Sequence, residues 1–350
     1  MEKQTYFTER NYKNLEKLKD LLRELPYFVN EFFVGHADSL TPLTKLGYAQ
    51  DFKCFFTFLI NEVPEFSGLS MHDFTLTHLN MLNQSHIEQF LDYLSNYRTT
   101  DGKILSNQVK TKTRKFASIR ALLKYFFKKD KITSNIADKV TPPKIREKEI
   151  VRLEIDEVSN LLNEVETGIN LSKSEKIFHK LTEKRDVAIL TLFLGTGIRI
   201  SELVGLDIDD IDFKQNAFTI TRKGGNRVIL YFPDEVKRAL LDYLDFRLEN
   251  PNVNPNEKAL FLSLHNKRIC TRQVEKLVKK YSQKVTPLKH ITPHKLRSTF
   301  GTNLYKETGD IYVVADVLGH KDVNTTKKYY AAITDDIRRN AVNKVKLRDA

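Results

Sequence analysis

Cysteine is scarce: two in 350 residues, Cys54 and Cys270, far apart and with no Cys-x-x-Cys spacing. A disulfide framework and a thiolate zinc site are therefore not expected, and a reducing cytoplasm is the compartment the chain suits. Long apolar runs are missing too. The most conspicuous one, Val187 to Ile198, is bracketed by Asp186 and Arg199; it is too short to cross a bilayer and reads as a buried helix end. Met1 to Arg10 alternates acids and bases with no apolar stretch for a signal peptide. No membrane insertion is expected. HExxH, Walker A and GxGxxG sequences are absent. The acids that do cluster, Asp207, Asp209, Asp210 and Asp212, alternate with apolar Leu206, Ile208 and Ile211. They read as turn and cap residues, whereas a two-metal nuclease needs carboxylates converging on cations. No metal and no other cofactor is expected.

What the chain has in excess is positive charge, 57 Lys and Arg against 45 Asp and Glu, a net +12. Such an excess favours polyanions, nucleic acid first and anionic membrane second. The length suggests two domains, and composition places the boundary. Thr141-Pro142-Pro143-Lys144-Ile145-Arg146-Glu147-Lys148 cannot continue a helix and reads as a linker. The expected division is a helical domain over 1–140, a linker over 141–150 and a second domain over 151–350.

The first domain reads as all helix. One amphipathic segment is predicted over 11–33. A second starts after Thr41, with Pro42 at its first position. A third opens on a Ser85/Glu88 capping box and covers 87–96. A fourth covers 108–128. From Lys103 to Lys131 there are ten Lys or Arg and one acid. Lys110, Lys112, Arg114 and Lys115 crowd the fourth helix's first turns, where the helix dipole disfavours cations. They are candidate DNA contacts; an ordinary solvated face is the alternative.

The second domain is predicted to be mainly α, with helices over 154–165, 173–194, 200–205, 234–248 and 271–283 and more between 293 and 348. Strands over 217–221 and 227–231 are joined by Lys223-Gly224-Gly225-Asn226, a hairpin signal. Arg199 follows Gly195-Thr196-Gly197-Ile198 and stands at a helix start, an unusual place for an arginine without a partner. His294 and Arg297, three apart after Thr292-Pro293, share a helix face. His320 follows Leu318-Gly319, with Tyr329 and Tyr330 beyond it. Transfer of a phosphodiester needs a nucleophile, cationic donors on the non-bridging oxygens and an acid for the leaving oxygen. Arginine forks suit the second role, and a tyrosine hydroxyl suits the first when the link must be reversible. Singly, each residue has a plainer reading: a helix-cap histidine, a salt-bridge arginine, a packed aromatic.

In order and together, these residues resemble the tyrosine recombinases, the family of phage integrases and bacterial Xer proteins. Gly195-Thr196-Gly197-Ile198-Arg199-Ile200-Ser201-Glu202-Leu203 resembles the family's first arginine box, and His294-Lys295-Leu296-Arg297 its His-x-x-Arg box. Leu318-Gly319-His320, with Tyr329 nine residues after the histidine, resembles the last box. Lys223 falls at the family's hairpin lysine, although Lys223-Gly224-Gly225-Asn226-Arg227 departs from the common Gly-Lys-Gly-Asn-Lys pattern. Within the family, the long first helix and the insertion-like Glu166 to Lys176 stretch resemble the Xer proteins of streptococci and lactococci that act alone.

The resemblance implies a helical core-binding domain and a catalytic domain closing on double-stranded DNA as a C-shaped clamp. It further implies that Arg199 and Arg297 hold the scissile phosphate, with His320 donating to it. His294 assists proton transfer, Lys223 protonates the leaving 5′ oxygen, and Tyr329 forms a 3′-phosphotyrosine without metal. A homodimer on each recombination site and a homotetramer in the synapse are implied, with the C-terminal segment 335–346 docking on a neighbour. So are resolution of chromosome dimers at a terminus-region site and activation by a septal DNA translocase of the FtsK type. Other readings are a mobile-element integrase, a nick-and-rotate topoisomerase and a non-catalytic DNA-binding protein.

Overall fold

Pro26 breaks the first expected helix in two. The computed structural model describes residues 6–98, 102, 104–145, 151–222 and 226–319, and in it α1 (Tyr6–Leu22) is followed by a separate α2 (Val29–Gly35). A proline has no amide hydrogen for the helical ladder and pushes the residue before it toward extended backbone. The next helix, α3 (Pro42–Glu62), starts where predicted: Thr41 Oγ1 accepts from the Thr44 amide at 3.3 Å and Pro42 takes the first position. A short α4 (Leu76–Asn80), not expected, precedes α5 (Gln84–Tyr93). The cap of α5 is Asn83 rather than Ser85. Asn83 Oδ1 accepts from the His86 amide at 3.2 Å, and the Asn83 amide donates to His86 Nδ1 at 3.3 Å. Asparagine caps as well as serine, and it stands two residues earlier. A small ribbon, β1 (Tyr97–Arg98) against β2 (Ile104–Leu105), leads to α6 (Val109–Lys128).

These elements form a first unit, 1–148, around a phenylalanine-rich core. Phe32, Phe52, Phe56, Phe90 and Phe126 are fully buried and Phe116 nearly so; each such ring contributes on the order of 2–3 kcal/mol by leaving water. One charge sits in this core. Asp51 on α3 is 1% exposed and accepts from Arg114 Nη1 and Nη2 at 2.5 and 2.8 Å and from Ser118 Oγ at 3.0 Å. Lys115 Nζ lies 3.7 Å away. A buried carboxylate requires such partners, so part of the positive charge on α6 serves the fold. Pro143, within the expected linker, accepts from Thr113 Oγ1 at 3.3 Å and is thus tied to α6.

The described part of the second unit, 149–350, is helical with one small sheet. Its elements are α7 (Ile155–Thr167), α8 (Lys173–Thr196), α9 (Ile200–Gly205), β3 (Ile211–Asp212), β4 (Ala217–Thr221), β5 (Arg227–Tyr231), α10 (Asp234–Leu248), α11 (Thr271–Val285), α12 (Pro293–Thr308) and α13 (Ile311–Leu318). The sheet is antiparallel in the order β3-β4-β5, with Thr221 opposite Arg227 at the hairpin end. Helix α8 is central, packed by α7, α10 and α12, which is why Ala188, Ile189, Leu190, Leu192 and Phe193 are all buried. The stretch read as insertion-like is a capped turn between α7 and α8. There Glu164 accepts from Asn170, and Ser172 and Glu175 cap α8 reciprocally at 2.8 and 3.3 Å. The clustered acids are turn groups: Asp210 accepts from the Asp207 amide at 2.9 Å, and Asp212 from those of Lys214 and Gln215 at 2.8 and 3.1 Å. No described helix is long and apolar enough to cross a membrane.

One polar cluster ties α8 to α11. Asp186, 2% exposed, accepts from Thr182 Oγ1 at 3.0 Å, Arg185 Nη2 at 2.7 Å and Tyr281 Oη at 2.9 Å. Burial and the carboxylate beside it push the Tyr281 phenol pKa up, so this tyrosine stays a hydrogen-bond donor. Asp186→Ala strips the partner from Arg185 and Tyr281 together and is expected to destabilise the protein by about 3–5 kcal/mol. Urea denaturation followed on this unit checks it; a loss below about 1 kcal/mol would show that the cluster is dispensable.

Candidate active site

Two left-handed glycines frame the site. Gly197 (φ +62°) ends α8, and a side chain there would run into Phe300 and Leu318. Gly319 (φ +62°) ends α13. Both turns use a conformation that glycine adopts without penalty, and together they bring residues more than a hundred positions apart onto one turn. Val314 and Leu318 pack against Phe300 and Leu304, which seats α13 on α12.

Arg199 stands at the cap position of α9, and its partner there is Glu202. The Arg199 amide donates to Glu202 Oε2 at 3.0 Å, and Nη1 donates to Oε1 at 2.8 Å. Glu202 is 5% exposed and the arginine side chain 36%, so a buried carboxylate aims a half-exposed guanidinium. The remaining fork nitrogen, Nη2, donates to the Gly319 carbonyl at 3.0 Å. Arg297, on α12, is 5% exposed and donates to the carbonyls of Gly197 and Leu318. A third arginine, Arg222, leaves the end of β4 and donates to the Val317 carbonyl at 2.9 Å. The last carbonyls of α13, which have no partner within their own helix, are thus taken up by three guanidiniums.

His294 lies one helical turn before Arg297. It is exposed in the free chain, yet neighbouring protein removes enough water to lower its pKa. Arg297, Lys295 and Arg199, in that order, lower it further. At neutral pH the imidazole is therefore uncharged and free to accept a proton. Two fixed guanidiniums beside a neutral imidazole can bind the non-bridging oxygens of a phosphodiester and take a proton from an attacking hydroxyl.

The structure brings Arg199, His294 and Arg297 together. Lys223, His320 and Tyr329 lie outside the described residues, as do Tyr330 and the segment 335–346. Glu202 and Arg222 had no role in the sequence reading. Glu202 was within reach of it, since an acid three residues after a helix-start residue is the capping-box spacing; Arg222 was not. The four cations of α6 separate. Lys110 and Arg114 are exposed, whereas Lys112 and Lys115 are half-buried on the side facing the core, Lys112 donating to Ser95 Oγ and Lys115 approaching Asp51. Among the described residues no group of three or more His, Cys, Asp or Glu side chains is placed to hold a metal ion.

A mainly helical fold with a small antiparallel sheet and arginines gathered on one turn is suited to holding a phosphodiester, and comparison names the family. Residues 151–336 match the phage integrase family. Across 96% of this chain and 89% of its own length, the tyrosine recombinase XerC of Caldanaerobacter subterraneus subsp. tengcongensis is 31% identical over 345 residues. The tyrosine recombinase XerS of Streptococcus uberis is 30% identical over 362 residues, covering 95% of this chain and 98% of that one. Among solved structures, the XerH site-specific recombinase bound to palindromic difH substrate, a post-cleavage complex, shares the fold. Its TM-score is 0.65 at 19% identity, over 93% of this chain and 88% of that one. The chain belongs to the phage integrase family, the tyrosine recombinases, whose members carry out site-specific DNA recombination by cleaving and rejoining strands.

Proposed function

We propose that this chain recombines a dif-like site in the chromosome terminus, resolving chromosome dimers, with Tyr329 as nucleophile. The observation that carries the catalytic assignment is the convergence of Arg199 and Arg297 on the Leu318-Gly319 turn, immediately before His320, with His294 one helical turn from Arg297. In this reading the two arginines grip the scissile phosphate and His320 donates to it. His294 accepts the phenolic proton as the Tyr329 oxygen forms its bond to phosphorus. The bond from phosphorus to the 5′ oxygen breaks, and Lys223 protonates that oxygen. The 3′-phosphotyrosine conserves the diester's energy, so rejoining needs no nucleotide cofactor. Similarity to a tyrosine recombinase XerS along nearly the full length of both chains supports the Xer resemblance, from which the chromosomal role is inferred. A homodimer on each site, a homotetramer in the synapse, cytoplasmic action and a septal translocase of the FtsK type as activator follow from the same reading. The decisive experiment offers the purified protein a terminus-region site carrying a nick, so that cleavage releases a short fragment and cannot reverse. An SDS-stable adduct on the 3′ side is the expected result; nicking without attachment would contradict it.

The outer face of α6 is the proposed phosphate-binding surface of the first unit. Lys110, Lys124 and Lys128 are exposed along it. Replacing these three lysines with glutamine should weaken binding to all duplexes alike. The slope of log affinity against log salt should fall by about 0.9 for each phosphate that is no longer neutralised. The inward-facing Lys112, replaced alone, should change neither slope nor affinity. Filter binding across a salt series separates the two outcomes, and an unchanged slope in the triple variant would remove α6 from the interface.

A further inference from the structure

Arg222 has no part in the scheme above, and its surroundings are costly for an arginine. Its backbone amide donates to the Asn226 carbonyl at 2.9 Å, continuing the β4–β5 ladder into the hairpin end. Its side chain turns away from the hairpin. Nη2 donates to the Val317 carbonyl at 2.9 Å and Nη1 reaches the Asp316 carbonyl at 3.5 Å. The guanidinium lies over Gly319 so closely that a β-carbon there would overlap it. Among the described residues the buried Nε has no hydrogen-bond partner, a loss that a solvated arginine would avoid. Burial is the first cause of its lowered pKa, and Arg199 and Glu202 act on it electrostatically. A residue held at such cost is held for its geometry.

What it connects gives that geometry a use. The carbonyls of residues 316–319 form a hub: Arg222 takes Asp316 and Val317, Arg297 takes Leu318, and Arg199 takes Gly319. The next residue after Arg222 is Lys223, followed by Gly224 and Gly225. Arg222 is thus the last described residue at the end of β4 before that lysine, and what fixes its backbone and side chain fixes the point from which Lys223 departs.

We propose that Arg222 is a positioning residue, anchoring the base of the hairpin to the turn gripped by Arg199 and Arg297 so that Lys223 delivers its proton to the leaving 5′ oxygen. The inference rests on the assignment of Lys223 as proton donor. A donor acts only within hydrogen-bond reach of the atom it protonates. Loss of the anchor therefore lowers proton delivery while leaving phosphate binding and the nucleophile in place.

A change of leaving atom tests this. A bridging 5′ sulfur departs as a stable thiolate and needs no proton, whereas a bridging 5′ oxygen does. First-order rates of covalent attachment are measured with the full-length protein at saturating nicked duplex, once with oxygen and once with sulfur at the scissile bond. Arg222→Ala should cut the oxygen rate by about 10-fold or more and the sulfur rate by less than about threefold. Arg222→Lys, able to reach one carbonyl but not two, should fall between. Both rates come from one preparation, so their ratio does not depend on how much of the variant is folded. Lys223→Ala is run beside it. Equal losses on both substrates in Arg222→Ala, or no loss on either, overturn the inference. If sulfur rescues Lys223→Ala but not Arg222→Ala, the anchor alone is wrong. If it rescues neither, the assignment of Lys223 falls and the inference with it.

Discussion

Tyr329→Phe should abolish covalent attachment to DNA while leaving fold and duplex affinity unchanged. The substitution removes one oxygen, and phenylalanine keeps the ring. Tyr329 and Tyr330 are equal in intrinsic chemistry, both being phenols. Adjacent side chains point roughly 100° apart on a helix and to opposite faces on a strand, so only one of the two can meet a phosphate gripped by Arg199 and Arg297. The spacing of nine residues from His320 selects Tyr329. Tyr330→Phe should retain attachment within a few-fold. Peptide mapping of the trapped adduct distinguishes the two. An adduct on Tyr330, or one persisting in Tyr329→Phe, would transfer the nucleophile's role.

Arg297→Lys should slow cleavage by about 100- to 1,000-fold, the scale of losing one preorganised donor to a developing oxyanion. Affinity for duplex, spread over many phosphates, should hold within about twofold. Lysine keeps the charge but not the fork. Arg297 is 5% exposed and divides its donors between Gly197 and Leu318; a single ammonium on a flexible stem cannot serve both and face a phosphate. Arg199→Lys should cost less, because that side chain is 36% exposed and the lysine can still pair with Glu202. Single-turnover cleavage at saturating DNA, with melting temperature as a check on folding, reads both. Near-native cleavage by Arg297→Lys would remove it from the phosphate site.

Local signals carried much of the architecture. Thr41-Pro42, the glycines after α8 and α13, and the alternation in β4 and β5 each act over a few residues, so α3 starts where expected and α8, α9 and the hairpin strands stand within two residues of their expected bounds. Where the reading failed, a neighbouring local signal was stronger. Pro26 divided the first helix, and Asn83 capped α5 ahead of Ser85. The two-residue strand β3 pairs with Phe218 and Ala217 and is too short for periodicity to reveal.

By itself the sequence determined which chemistries were available: arginine forks, an imidazole, two adjacent phenols and a surplus of cations. It also determined where helices start and stop, because caps and glycine turns act on their own neighbours. Only the tertiary structure decided which cations serve the fold and which stay exposed. Asp51 turns Lys115 inward across 64 residues, and nothing local distinguishes that lysine from Lys110. Tertiary structure also decided that Arg199, Arg222 and Arg297 meet on one turn. Their partners there are backbone carbonyls, and every residue carries the same carbonyl. A carbonyl is selected by where the chain places it, at the unpaired end of α13, and residue identity carries no trace of that choice.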